Sequence, residues 1–154
     1  DVQESTLPAD VGEPGSGAVE DWDLLGRRVV HRSTGRSAIW LRVQDDLGDD
    51  PTMQACALAF TSDDIPTDSV SSNHPRIGEV RDDDIGYGDV FIGASLDHSI
   101  WFHRRLPPDE WLLHDHRSHG LANARGLSVG EVFAPSGAHL ATVAQEILIR
   151  ERTR

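Results

Sequence analysis

The chain has 154 residues, 38% of them hydrophobic with four Trp, and sets 26 acidic against 14 basic residues for a formal charge of −12. That is enough apolar material for one domain with a core, and so acidic a surface argues against nucleic acid and membrane as partners. A single cysteine, Cys56, excludes an internal disulfide and fits a reducing, cytoplasmic setting; no run is apolar enough to span a bilayer and no signal-peptide pattern is present.

Residues 1–21 are acidic and rich in Gly, Pro and Ser. They read as a linker or tail, loosely held unless docked, leaving 22–154 as a single domain. The start at Asp1, without Met, suggests a piece of a longer polypeptide. Arg27 to Ser33 is a short β-rich run that turns near Gly35 into Ser37–Gln44, where Ile39, Leu41 and Val43 alternate with Trp40, Arg42 and Gln44. This predicts a hairpin. Asp50 then suits an N-cap, with Pro51 at the first helical position. Met53, Cys56, Ala57 and Phe60 form a stripe, but Ala55, Leu58 and Ala59 make the segment apolar nearly all round. A helix buried on most sides is predicted, ending near Asp63.

Residues 64–93 read as a long polar connection containing Asp82-Asp83-Asp84. Strands are then expected over Ser95–His103, Glu110–Arg117, Arg125–Phe133 and His139–Arg150, with turns at Pro107-Pro108-Asp109 and Pro135-Ser136-Gly137. The sum is one antiparallel sheet with a helix against it, an α+β fold.

Chemistry-bearing residues stand out at several points. A continuous strand over Ser95–His103 puts Ser95, Asp97, Ser99 and Trp101 on one face, and a polar face needs a polar partner. Gln145 interrupts the apolar row Ala141, Val143, Ile147, Ile149. Its amide is either bonded to backbone or held to orient a water or a carbonyl, since leaving it unsatisfied costs roughly 1–3 kcal/mol. Asp63 sits at a helix end, where carbonyl ends and partial burial favour a more basic carboxylate that suits a general base; Asp64 beside it is an alternative. Ser95 lacks the G-x-S-x-G pattern of a nucleophile and suits a water-holding set. His114-Asp115-His116 with His119 invites a metal, but no further Cys or acidic ligand is spaced to complete a site, so none is expected. Arg104, Arg105, Arg117 and Arg125 suit phosphates and solvent equally.

Four runs, SLDHSIWFHR (95–104), DEWLLHD (109–115), ARGLSVGEV (124–132) and VAQEILIR (143–150), in this order and spacing, resemble the C-terminal half of type II acyl-CoA thioesterases, the double-hotdog enzymes. The resemblance covers about Trp22 to Arg150. It implies a hotdog fold: a curved antiparallel β-sheet wrapped around one long apolar helix, here about 50–63. It implies a catalytic set in which Asp63, Ser95 and Gln145 hold an attacking water, and it leaves Asp97 and His98 as structural hydrogen-bonders. It implies hydrolysis of acyl-CoA to free fatty acid and CoA within fatty acid metabolism, with no cofactor because CoA is part of the substrate. Phe60-Thr61-Ser62-Asp63 stands where the family usually has aromatic-Ala-Ser-Asp, and Ile147 where it usually has Gly. The family carries two modules in one chain, so a second, N-terminal hotdog module is an expected partner, together with homo-oligomerisation through the open sheet edge. The alternative is a non-catalytic module that completes a partner's double hotdog. A hotdog hydratase ranks lowest, because the Met53–Asp63 segment holds no His.

Overall fold

The computed structural model describes residues 6–21, 24–33, 35–80, 87–106 and 110–153. The expected domain start at Trp22, the acidic run Asp82-Asp83-Asp84 and the turn at Pro107-Pro108-Asp109 lie outside these residues. Among the described residues eight strands form one antiparallel sheet: β1 (Ala18–Val19), β2 (Leu25–Ser33), β3 (Arg36–Val43), β4 (Phe91–Ser95), β5 (Ser99–Phe102), β6 (Leu112–Ala122), β7 (Arg125–Phe133) and β8 (His139–Glu151). Their order is β1-β2-β3-β6-β7-β8-β4, with β5 pairing β8 beyond the end of β4. The first hairpin turns at Gly35, whose φ of 79° suits glycine.

Helix α1 (Pro51–Ser62) begins as its sequence dictates: the Asp50 carboxylate accepts from the Thr52 N–H at 2.8 Å and Pro51 occupies the first turn. It stops at Ser62. Pro66 has no N–H to offer the Ser62 carbonyl four residues back, and its ring crowds that carbonyl. The chain then starts a second helix, α2 (Ile65–Ser71), within the stretch expected to be a connection. A one-turn helix, α3 (Tyr87–Val90), leads into β4.

The two helices divide the labour differently from the expectation. α1 packs through Leu58 into a cluster with Leu106, Val132, Leu140, Ala141 and Val143, while Met53, Cys56 and Phe60 on its other side are exposed. α2 is the more deeply buried piece, with Ile65, Pro66, Ser69, Val70 and Ser71 inside. Ile65 packs on Ile39 and Leu41. Val70 packs on Phe91, Ile147 and Ile149. Its polar composition is tolerable inside because the hydroxyls are bonded: Ser69 donates to the Pro66 carbonyl at 2.9 Å and lies 2.8 Å from the Ser128 hydroxyl.

Residues 6–21 lie against the sheet. Val11 is buried with Trp40, Ala38, Leu113 and Phe133, and its carbonyl accepts from Trp40 Nε1 at 3.0 Å. Arg36 pairs with Asp10 as well as Asp115. Both faces of β3 are therefore covered, Ile39 and Leu41 by α2 and Trp40 by the N-terminal segment.

The predicted strand 95–103 is interrupted. Residues 96–98 leave the ladder between β4 and β5, and Asp97 Oδ1 accepts from the Glu146 N–H at 2.7 Å. Ser95 and Trp101 therefore do not belong to one continuous strand face.

Candidate active site

Three side chains far apart in sequence meet at one carboxylate oxygen. Asp63, at the C-cap of α1, accepts on Oδ1 from the Ser95 hydroxyl at 3.0 Å and from Gln145 Nε2 at 2.6 Å. Ser95 ends β4 and Gln145 lies mid-β8. Each is delivered by a different element: the Pro66 break sets where α1 ends, the β4–β8 register brings Ser95 opposite Ile147, and the alternation of β8 turns Gln145 inward. All three expected site residues are thus brought together. Asp64 does not join them, because it turns away to Arg27 Nη2 at 3.0 Å. Burial raises the Asp64 carboxyl above its ordinary range, with Arg27 opposing.

Gln145 is fully buried, and both ends of its amide are used. Nε2 must face the Asp63 carboxylate, because only the NH₂ can donate. Oε1 is thereby turned to His98 Nδ1 at 3.0 Å, so Nδ1 carries a proton. His98 Nε2 lies 2.9 Å from the Ser62 hydroxyl, which is also within 3.3 Å of the Ala59 carbonyl. The result is a chain Ser62–His98–Gln145–Asp63–Ser95. His98, expected to hold only the strand start, and Ser62 are the two members that sequence reading left out. Asp97 does what was expected of it, by anchoring residues 96–98 to β8.

Among the described residues no group bonds Asp63 Oδ2, and the Asp63 side chain is 55% exposed. It faces a cleft lined by Leu25, Ala59, Phe60, Asp64 and His98. One carboxylate oxygen is pinned and the other is open, which is the arrangement a proton acceptor needs.

The remaining candidates lie elsewhere. His114 and His116 stack inside the domain with ring centroids 6.3 Å apart, while Asp115 points to the opposite face and Arg36 at 2.8 Å. No group of three or more metal-ligating side chains occurs among the described residues. Arg117 pairs with Asp115 at 3.8 Å and Arg125 with Glu146 at 3.5 Å. Arg105 reaches the Asp49 carbonyl at 3.2 Å, at the opposite end of α1 from Asp63.

A curved antiparallel sheet against a helix defines a hotdog domain, here with a carboxylate, a hydroxyl and an amide gathered at the helix end. Residues 2–149 match the family model described as acyl-CoA thioesterase C-terminal domain, and the chain belongs to that family. It is 32% identical over 112 residues to "Acyl-CoA thioesterase 2" of Haemophilus influenzae, covering 72% of this chain and 36% of that one. It is 29% identical over 122 residues to "Acyl-coenzyme A thioesterase 8" of Homo sapiens, covering 79% and 35%. Among solved structures, an acyl-CoA thioesterase II from Mycobacterium marinum superposes with a TM-score of 0.82 at 30% identity, covering 99% of this chain and 59% of that one. A hotdog-fold protein from Alicyclobacillus acidocaldarius, 17% identical with a TM-score of 0.70, supports the fold alone. The chain spans about a third of the length of the curated relatives it matches. No helix among the described residues is long and apolar enough to cross a membrane.

Proposed function

We propose that this chain supplies the water-activating site of an acyl-CoA thioesterase, with Asp63, Ser95 and Gln145 as the catalytic residues. The observation that supports it most is the shared Asp63 Oδ1, held by the other two while Oδ2 stays open. Water bound at Oδ2 gives its proton to Asp63 as its oxygen attacks the thioester carbonyl. Ser95, whose own proton is committed to Asp63, offers lone pairs to the same water. The second N–H of Gln145 is a donor for the water or the carbonyl oxygen. The tetrahedral intermediate collapses with cleavage of the C–S bond, and the proton held by Asp63 passes to the thiolate. The products are a free fatty acid and CoA, so the chemistry as written uses no cofactor. Acid–base assistance of this kind typically contributes on the order of 10²–10⁴ in rate.

A second reading is a module that completes the site of a partner. Its support is the exposure of Asp63 together with exposed Trp101, Phe102, Ile92 and Leu96 along the β4/β5 edge and Met53 and Phe60 on α1. A second hotdog module, or another copy of this chain, is the proposed cover for that surface. The exposed Cys56 thiol accords with a reducing, cytoplasmic compartment. Thiol release from a panel of acyl-CoAs, measured with and without the N-terminal half of a family member, separates the two. Turnover that depends on Asp63 of this chain supports the first reading; turnover that survives Asp63→Asn in the assembled pair supports the second.

A further inference from the structure

A second pocket lies between the inner side of α1 and strands β3 and β6. Its walls are apolar, from Leu41, Ala57, Leu58 and Leu112, and the exposed Arg42 and Glu110 stand at its rim. Two polar side chains also line it, and each has an unmet need. His114 is fully buried, and neither ring nitrogen has a hydrogen-bond partner among the described residues. Gln54 is 3% exposed; its Nε2 donates to the Gly48 carbonyl at 2.9 Å, but its Oε1 has no partner. Orphaned buried groups of this kind cost stability unless something occupies the space beside them.

We propose that this pocket receives the far end of the acyl chain and is built for one that carries a hydroxyl there. The inference rests on the thioesterase reading and names a substrate class for it. A hydroxyl is at once donor and acceptor, so it can donate to Gln54 Oε1 and accept from the His114 ring N–H. Burial holds His114 down to about 3, so the ring is neutral and gains little from a carboxylate.

The register sets the distance. Four residues of β8 separate Gln145 from Ala141, which pairs with Val132, which pairs with His114. At about 3.4 Å per residue and about 4.8 Å per strand, the two sites lie roughly 16 Å apart between backbones. That places the hydroxyl near the tip of a medium-length chain, not beside the thioester. Thr61, two residues before Asp63 in sequence, is among the residues that line the pocket.

The test uses ω-hydroxydecanoic acid and plain decanoic acid, each titrated into the chain while the histidine ring resonances are followed by NMR. The proposal expects the hydroxylated acid to bind on the order of tenfold tighter or more, to shift the His114 ring signals, and to lose that advantage in both His114→Leu and Gln54→Leu. Unmoved ring signals would mean that the pocket holds only water, and would overturn it. Equal binding of the two acids, or a preference that persists in both variants, would do the same. The binding measurement does not need turnover. A chain that hydrolyses no acyl-CoA yet prefers the hydroxylated acid keeps the pocket assignment and loses the thioesterase reading.

Discussion

At the scale of single residues the account turns on Asp63 Oδ1 and the two donors that share it. Truncation of Gln145 removes one of them and also strands His98 Nδ1, so Gln145→Ala is expected to lower kcat by about 10² or more. His98 acts through Gln145 and is a positioning residue. His98→Ala should lower kcat with little change in KM. His98→Asn, whose amide can stand in for the Nδ1–H, should restore much of the loss. Equal damage from both variants, with KM raised in each, would indicate general disruption instead. Asp63 and Gln145 stood out in the sequence because each broke a local rule, a carboxylate at a helix C-terminus and an amide in an apolar row, whereas Ser95 entered through the polar face of its strand and the family resemblance. His98 and Ser62 broke none. Their pairing depends on how residues 96–98 leave the sheet, a tertiary event that Asp97 fixes through the Glu146 backbone.

At the scale of elements, β6 and β7 are keyed to each other through His116 and Gly130. A Cβ on Gly130 would run into the His116 ring, so Gly130→Ala should cost about 1–3 kcal/mol, measurable as a lowered urea midpoint. The two β6 imidazoles also set a pH dependence. Burial holds His114 and His116 down to about 3, from an ordinary 6.5. The unfolded chain therefore takes up these protons first on acidification. Their neutral burial contributes fully above about pH 6.5 and is lost as the pH falls toward 3, by about 1.4 kcal/mol per pH unit for each ring. Unfolding free energies measured from neutral pH to mild acid should follow that slope, and His114→Leu should remove about half of it. The strands of the hairpin and of the last three sheet positions were legible from alternation, with β7 bounded correctly at both ends, whereas β1 and most of β4 fell in stretches read as linker and connection. The helices were less so. α2 is short, polar and rich in Ser, and its burial comes from hydroxyls bonded to backbone carbonyls and to Ser128, a pattern with no apolar period to reveal it. α1 looked buried all round because composition alone does not say which side lacks a neighbour.

At the scale of the whole molecule, the sheet ends among the described residues at β4 and β5, where the apolar residues Ile92, Leu96, Trp101 and Phe102 are exposed; Met53 and Phe60 of α1 are exposed as well. Trp101→Asp is expected to weaken association with a second module or a second copy, seen as a shift to smaller mass in sedimentation velocity, with the monomer's stability nearly unchanged. The Asp63 side chain is 55% exposed in the single chain, and association is expected to close the cleft over it. The measurement that bears most directly on the central claim is the initial rate of CoA thiol release from a medium-chain acyl-CoA by the assembled protein, wild type against Asp63→Asn. A loss of on the order of 10² or more, with the fold intact, is the predicted result; an unchanged rate would contradict the assignment of Asp63 as the group that activates water.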